Sequence, residues 1–161
     1  MLKGKFPLPV VLAAAAMLVS SAIVPAPARA ADVPYWVSLR KDESNMRVGP
    51  GLEYRINWIY RRKALPLKVL RVMGGWRLVE DPDGARGWML ARFLARTHTG
   101  IVRGQVTAMR EANDGSGQLL WRVAPGVIGK LGDCSPGWCR FDIDGRAGYI
   151  PAPAVWGAGA P

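Results

Sequence analysis

The apolar positions of this chain fall in short runs, each ended by turn residues. A loosely alternating entry segment, Val33 to Leu39, is followed by polar Lys41 to Ser44 and then by Asn45-Met46-Arg47-Val48, which runs into Gly49-Pro50-Gly51. The two glycines there permit positive φ and the proline fixes its neighbour, so the triplet reads as a turn. Ile56 to Tyr60, Leu65 to Met73 and Arg77 to Glu80 have strand length and are rich in β-branched, aromatic and long apolar residues, with Gly74-Gly75 and Asp81-Pro82-Asp83-Gly84 as sharp turns. Ala85 to Met89 predicts the next strand, and Leu90 to Leu94 has room for only one helical turn. A second series follows at Val106 to Arg110, Gln118 to Val123, Val127 to Leu131, Arg140 to Ile143 and Ala147 to Ile150, with Asn113 to Gly117 as its flexible first loop. Nothing after residue 30 sustains a 3.6-residue period over the length a helix needs. The expected fold is all-β.

The two series are copies of one unit. Asp83-Gly84-Ala85-Arg86-Gly87-Trp88-Met89 returns 61 residues later as Asp144-Gly145-Arg146-Ala147-Gly148-Tyr149-Ile150. Gly75-Trp76 returns as Gly137-Trp138 at an offset of 62, and Met46-Arg47 as Met109-Arg110 at 63. A shift that drifts one residue at a time is what small loop deletions produce, and it divides the chain into two consecutive small β-barrels. The expected organisation is a first barrel over 31–95, a linker over 96–104, a second and degenerate barrel over 105–157, and a frayed tail over 158–161.

Residues 1–30 read as a secretory signal peptide: Lys3 and Lys5 form a positive start, Phe6 to Val24 is almost wholly apolar, and Ala28-Arg29-Ala30 supplies a cleavage site after Ala30. An uncleaved anchor is the rival reading, since the apolar run approaches the roughly 20 residues that span a bilayer; Pro7, Pro9 and the Ala-x-Ala site favour cleavage. Membrane contact is then confined to export. The remaining chain keeps 19 basic against 12 acidic side chains, a net charge of +7. An exported cation can meet anionic headgroups or the carboxylates of a cell wall, or can simply stay soluble through its charge. Export argues against nucleic acid as a partner.

Cys134 and Cys139 flank Ser135-Pro136-Gly137-Trp138, where Pro-Gly marks a tight turn between short strands, so the two sulfurs are expected to face each other as a disulfide. Closing so short a loop contributes roughly 2 kcal/mol by the chain-entropy estimate. A zinc site would want about four ligands, and His98 is the single histidine of the chain; neither a metal nor another cofactor is expected. The same scarcity weakens a Cys–His enzyme. The acids Asp81, Asp83, Asp142 and Asp144 flank turns and are read as turn chemistry, and Ser44 and Ser116 lack a nucleophile elbow.

Asn45-x-Arg47-x-Gly49-Pro50-Gly51, then Trp76 after a glycine, then Asp83-Gly84-x-x-Gly87-Trp88-Met89, resembles the signature of bacterial SH3 domains (SH3b). With the leader, the Cys-bounded Gly137-Trp138 and the terminal Val155-Trp156-Gly157, the chain is similar to exported tandem SH3-like proteins of Gram-negative, proteobacterial type. The resemblance covers residues 36–157. It departs in the second copy, where Ala108 stands in place of Asn45 and no Gly-Pro-Gly follows Arg110.

The motif residues can also be given physical roles. Asn45 is expected to hydrogen-bond nearby backbone and Arg47 to share its strand face. Gly87 and Gly148 permit close backbone approach, while Trp76, Trp88, Trp138 and Tyr149 read as core or rim packing. A ligand groove is assigned to aromatics outside the repeat, Trp36, Tyr54 and Trp58, beside Arg55, Arg61, Arg62 and Lys63; core packing of Trp58 and Tyr60 is the competing reading. The resemblance implies a non-catalytic, most simply periplasmic, binding module for peptidoglycan stem peptides or for an envelope protein. Its rivals are a structural adaptor or inhibitor that docks on a partner without touching the wall, and a wall peptidase built on Cys134.

Overall fold

A computed structural model describes residues 32–161; the expected signal peptide and its cleavage site lie outside the described residues. The first half runs β1 (Tyr35–Leu39), β2 (Ser44–Arg47), β3 (Ile56–Tyr60), β4 (Pro66–Met73), β5 (Trp76–Glu80) and β6 (Arg86–Leu90). A one-turn 3-10 helix (Ala91–Phe93) and β7 (Leu94–Ala95) end it. The second half repeats this element for element: β8 (Thr99–Val102), β9 (Thr107–Arg110), β10 (Leu119–Val123), β11 (Ile128–Ser135), β12 (Trp138–Ile143), β13 (Arg146–Pro151), a 3-10 turn (Ala152–Ala154) and β14 (Val155–Trp156). The sheet orders are β3-β2-β6-β5-β4-β1-β7 and β10-β9-β13-β12-β11-β8-β14, the same order twice. The fold is all-β with two consecutive SH3-like barrels.

The register locates the loop deletions. Met46 faces Trp58 and Ser44 faces Tyr60 in the first barrel, as Met109 faces Trp121 and Thr107 faces Val123 in the second, all at an offset of 63. Leu39 N–H donates to Leu65 O as Val102 N–H donates to Val127 O, so the offset has become 62 on the C-terminal side of the β3–β4 connection. Residues 61–64 are thus replaced by 124–126. The second loss lies in the β5–β6 turn. Glu80 pairs with Arg86 across five residues, whereas Asp142 pairs with Ala147 across four.

Each barrel has its own core, and the two are filled differently. Where the first buries Leu67 and Val79, the second has Gly129 and Phe141; a Cβ on Gly129 would lie 2.7 Å from Phe141 Cζ, so the ring takes the space the missing side chain leaves. Gly87 and Gly148 answer a shared constraint. A Cβ on Gly87 would stand 2.6 Å from Met46 Cγ and 2.8 Å from Arg47 O, and one on Gly148 would stand 2.8 Å from Met109 Cγ and 2.9 Å from Arg110 O. The methionine of β2 or β9 crosses over that glycine to reach the core.

The stretch 96–104, expected as a linker, contains β8, a full strand of the second sheet that pairs with β11 and β14. Its Ile101 packs into the first core together with Ile128 and Trp156, so apolar contact is continuous from one barrel to the other. Polar contacts reinforce it. Ser38 Oγ donates to Thr97 O at 2.9 Å and Thr99 Oγ1 to Ala64 O at 2.8 Å, Arg62 donates to Gly126 O, and Arg103 Nη1 meets Asp83 Oδ1 at 2.7 Å. Both barrels belong to one compact unit.

Trp36 accounts for the C-terminal tail. Its Nε1 donates to Gly159 O at 2.9 Å, and its ring meets Trp156 edge-on at 4.9 Å and stacks near His98 at 6.1 Å. His98 Nε2 lies 2.7 Å from Gly157 O; a carbonyl only accepts, so this nitrogen carries the proton. The tail that composition alone leaves to fray is held by Trp36, 123 residues earlier in the chain, while His98 holds Gly157 just before it.

On the first sheet Glu80, with a side chain only 12% exposed, sits 2.9 Å from Lys68 Nζ and 2.5 Å from Arg86 Nη2. The hydrogen bond from Lys68, aided by Arg86, holds its carboxyl below the usual carboxylate range. A depressed folded-state pKa adds stability that is present above the unfolded value of about 4.3 and lost as pH falls through the folded one. Glu80→Gln should therefore remove part of the acid dependence of stability, read as a flatter midpoint-versus-pH profile in urea below about pH 4.3. An unchanged profile would show that the pair contributes nothing.

Candidate functional site

The expected aromatic groove is not assembled. Trp36 is spent on the contact between barrels, and β1, which carries it, lies far from β3 in the sheet order. Tyr54, 43% exposed, covers Gly49, where a Cβ would stand 2.4 Å from its ring. Trp58 is 57% exposed and its only ring neighbour among the described residues is Tyr60, at 6.4 Å. Arg55 is exposed, and Arg61 Nε is paired with Glu43 at 3.1 Å. Nor does Trp58 lie outside the repeat: the register makes Trp121 its counterpart. The equal 63-residue offset from Met46/Met109 is the signal that finds it.

The motif residues shape the loop after β2. Arg47 Nη1 donates to Tyr54 O at 2.5 Å, closing the loop over residues 48–55, and Arg110 Nη1 donates to Gly117 O at 3.1 Å in the same place. This clamp survives in the second barrel although Ala108 replaces Asn45. Asn45 itself lines a small pocket of about 130 Å³ with Arg47, Leu52, Trp76 and Phe93. In the second barrel Gly115 lies directly on the Trp138 indole, where a Cβ would come within 2.4 Å. Trp88 is buried and its strand position pairs with Arg47, and half-buried Tyr149 pairs with Arg110.

One depression lies outside every expected site, apart from Lys63 in its lining. A cleft of about 600 Å³ lies between the barrels, with Leu39, Thr97 and Ile128 in its lining. Arg40 and Lys63 reach it from the first barrel and Lys130, Asp142 and Asp144 from the second, and none of these five belongs to an ion pair among the described residues. Two backbone features shape its rim. Ala64 is held at φ 61° and Asp144 at φ 50°, both left-handed and uncommon for residues with a side chain. Ala64 is held there by its N–H to Leu39 O at 2.8 Å and by Thr99 on its carbonyl. Asp144 and Gly145 form a two-residue turn between Ile143 and Arg146, with Gly145 N–H on Asp142 Oδ1 at 2.8 Å. The site can offer cations to carboxylates and carboxylates to ammonium groups within one enclosure.

The bacterial SH3 domain model matches residues 40–94 and again residues 104–157. The chain belongs to the bacterial SH3 domain family. Among solved structures it is similar to NlpC2 from Trichomonas vaginalis, with 14% identity and a TM-score of 0.36 over 77% of this chain and 48% of that one. It is also similar to NlpC1 from Trichomonas vaginalis, with 15% identity and a TM-score of 0.33 over 80% of this chain and 47% of that one. The chain therefore spans about half the length of those structures. None of the curated protein sequences matches it.

Cys134 and Cys139 of the second SH3 domain form the expected disulfide, facing each other across β11 and β12 with Cα atoms 4.0 Å apart. Among the described residues no three His, Cys, Asp or Glu side chains are grouped as metal ligands would be.

Proposed function

We propose that this tandem bacterial SH3 protein is an exported, non-catalytic binding module of Gram-negative type that recognises cell-wall stem peptides in the periplasm, and that the cleft between its two barrels is the binding site. The observation that carries this reading is the composition of that cleft: three cations and two carboxylates, all without ion-pair partners among the described residues, around a partly apolar lining. Stem peptides present carboxylates and free ammonium groups a few ångströms apart, so such a mixed enclosure complements them better than a uniformly basic surface would. A wall peptidase built on Cys134 would need that thiol free, and its sulfur is bonded to Cys139.

The test is co-sedimentation of the oxidised protein with purified peptidoglycan sacculi at low and high salt, beside Arg40→Glu/Lys63→Glu. The double charge reversal should weaken pelleting by about tenfold or more, and high salt should weaken the parent protein in the same direction because the cleft opens to solvent. Pelleting that ignores both changes contradicts the proposal. So does its absence at both salt concentrations, which would leave docking on a partner protein as the better account.

A further inference from the structure

The second barrel carries a pocket where the first has a plug. In the first barrel Tyr60, 6% exposed, points its hydroxyl at Asp81 Oδ2, 2.8 Å away, between the edge strand β3 and the β5–β6 turn. The register puts Val123 where Tyr60 stands and Ile143 where Asp81 stands. Truncating the plug without replacing its volume leaves a pocket of about 270 Å³, whose apolar lining is Met109, Trp121, Val123, Ala124, Val127 and Ile143. That is roomy enough for an aromatic ring, since an engineered cavity of about 150 Å³ takes up benzene.

Two further exchanges at the same place change its charge. Arg122 replaces Ile59 and Arg146 replaces Ala85, both line the pocket, and neither has an ion-pair partner among the described residues. Among the described residues no acid lines it; Asp142 and Asp144, which flank Ile143, line the cleft between the barrels instead. Trp121 is 39% exposed beside the opening. The strand that bears it, β10, is the last of its sheet and among the described residues pairs only with β9, so its outer backbone edge can accept another strand.

We propose that this seam receives a large apolar side chain from an extended acidic segment of a partner protein, laid along β10 with its carboxylates on Arg122 and Arg146. Four exchanges relative to the first barrel, from Tyr60, Asp81, Ile59 and Ala85 to Val123, Ile143, Arg122 and Arg146, act together toward that one chemistry. The inference is independent of wall recognition, because the seam shares no lining residue with the cleft between the barrels.

The test titrates the oxidised protein with two N-acetylated, C-amidated pentapeptides, Asp-Glu-Phe-Asp-Glu and Asp-Glu-Ala-Asp-Glu, following the Trp121 indole N–H resonance. The phenylalanine peptide should bind about tenfold more tightly than the alanine peptide. Val123→Tyr/Ile143→Asp, which restores the plug of the first barrel, should abolish that preference. Arg122→Ile/Arg146→Ala should weaken both peptides without altering the fold, and this surface variant decides the matter if the plugged one does not fold. Sacculus pelleting should be unchanged in both variants. Equal affinity for the two peptides, or binding untouched by loss of both arginines, would overturn the proposal.

Discussion

Asp81→Ala is expected to cost about 3–4 kcal/mol of unfolding free energy. Asp81 is only 5% exposed and its carboxylate accepts three hydrogen bonds, from Tyr60 Oη at 2.8 Å, Asp83 N–H at 2.9 Å and Ala85 N–H at 2.8 Å. Alanine removes the acceptor of both backbone N–H groups and leaves the phenol only the weak Met46 Sδ acceptor at 3.6 Å, and each poorly hydrated polar group left without a good partner costs about 1–3 kcal/mol. The Tyr60 phenol depends on that acceptor because burial, chiefly, and then the hydrogen bond to Asp81 push its pKa well above the ordinary range and keep it neutral. Tyr60→Phe removes one donor and leaves the carboxylate two, so it should cost about 1–1.5 kcal/mol. In Asp81→Ala the phenol has already lost this partner, so the combined variant should be less destabilised than the sum, a coupling that urea denaturation of the four proteins measures. Additive losses would mean that the Tyr60–Asp81 bond contributes nothing.

Gly87→Ala and Gly148→Ala should each destabilise by about 2–3 kcal/mol, near the upper end for overpacking a filled core. Neither glycine has positive φ. The requirement is space: the added methyl would overlap the methionine of β2 or β9 and the carbonyl that follows it, and the carbonyl belongs to a strand that cannot withdraw without breaking its pairing. A control separates the two causes. Gly75→Ala, where nothing lies within 4 Å of the new carbon, should be nearly neutral. Thermal melts of the three variants check this, and a Gly87→Ala protein as stable as Gly75→Ala would show that the strands yield.

Most strands were legible because turn chemistry punctuates them. Asn-, Asp-, Gly- and Pro-rich joints bracket nearly every apolar run, and the drifting offset of the repeat foretold two loop deletions that the register then located. Thr99 to Val102 escaped because Thr97, Thr99 and Gly100 read as connector residues, whereas pairing with β11 and β14 overrides that local preference. Gly100 is small for a reason that only the packing reveals, since a Cβ there would lie 2.4 Å from Val155 Cγ1 and 2.6 Å from Leu131 Cδ1.

The candidate site was far less legible. Trp36 lies next to nothing in sequence that explains it, because its acceptor is 123 residues away. The cleft between the barrels depends on how one barrel is set against the other, which no local pattern encodes. Arg40 and Lys130 were merely part of a net charge, and Lys63 was set beside the aromatic groove, until Ile101, Ile128 and Trp156 fixed that placement. The disulfide, by contrast, followed from one local turn between Cys134 and Cys139, and the structure contains it.

The central claim, that the cleft between two fixed barrels is the ligand site, is tested most directly by mapping amide chemical shifts while a soluble wall tetrapeptide is titrated into the protein. The account predicts perturbations that cluster at 38–40, 63–64, 97–99, 128–130 and 142–145, on both barrels at once and with one dissociation constant. Perturbations confined to 45–60, around Tyr54 and Trp58 on the first barrel alone, would contradict it.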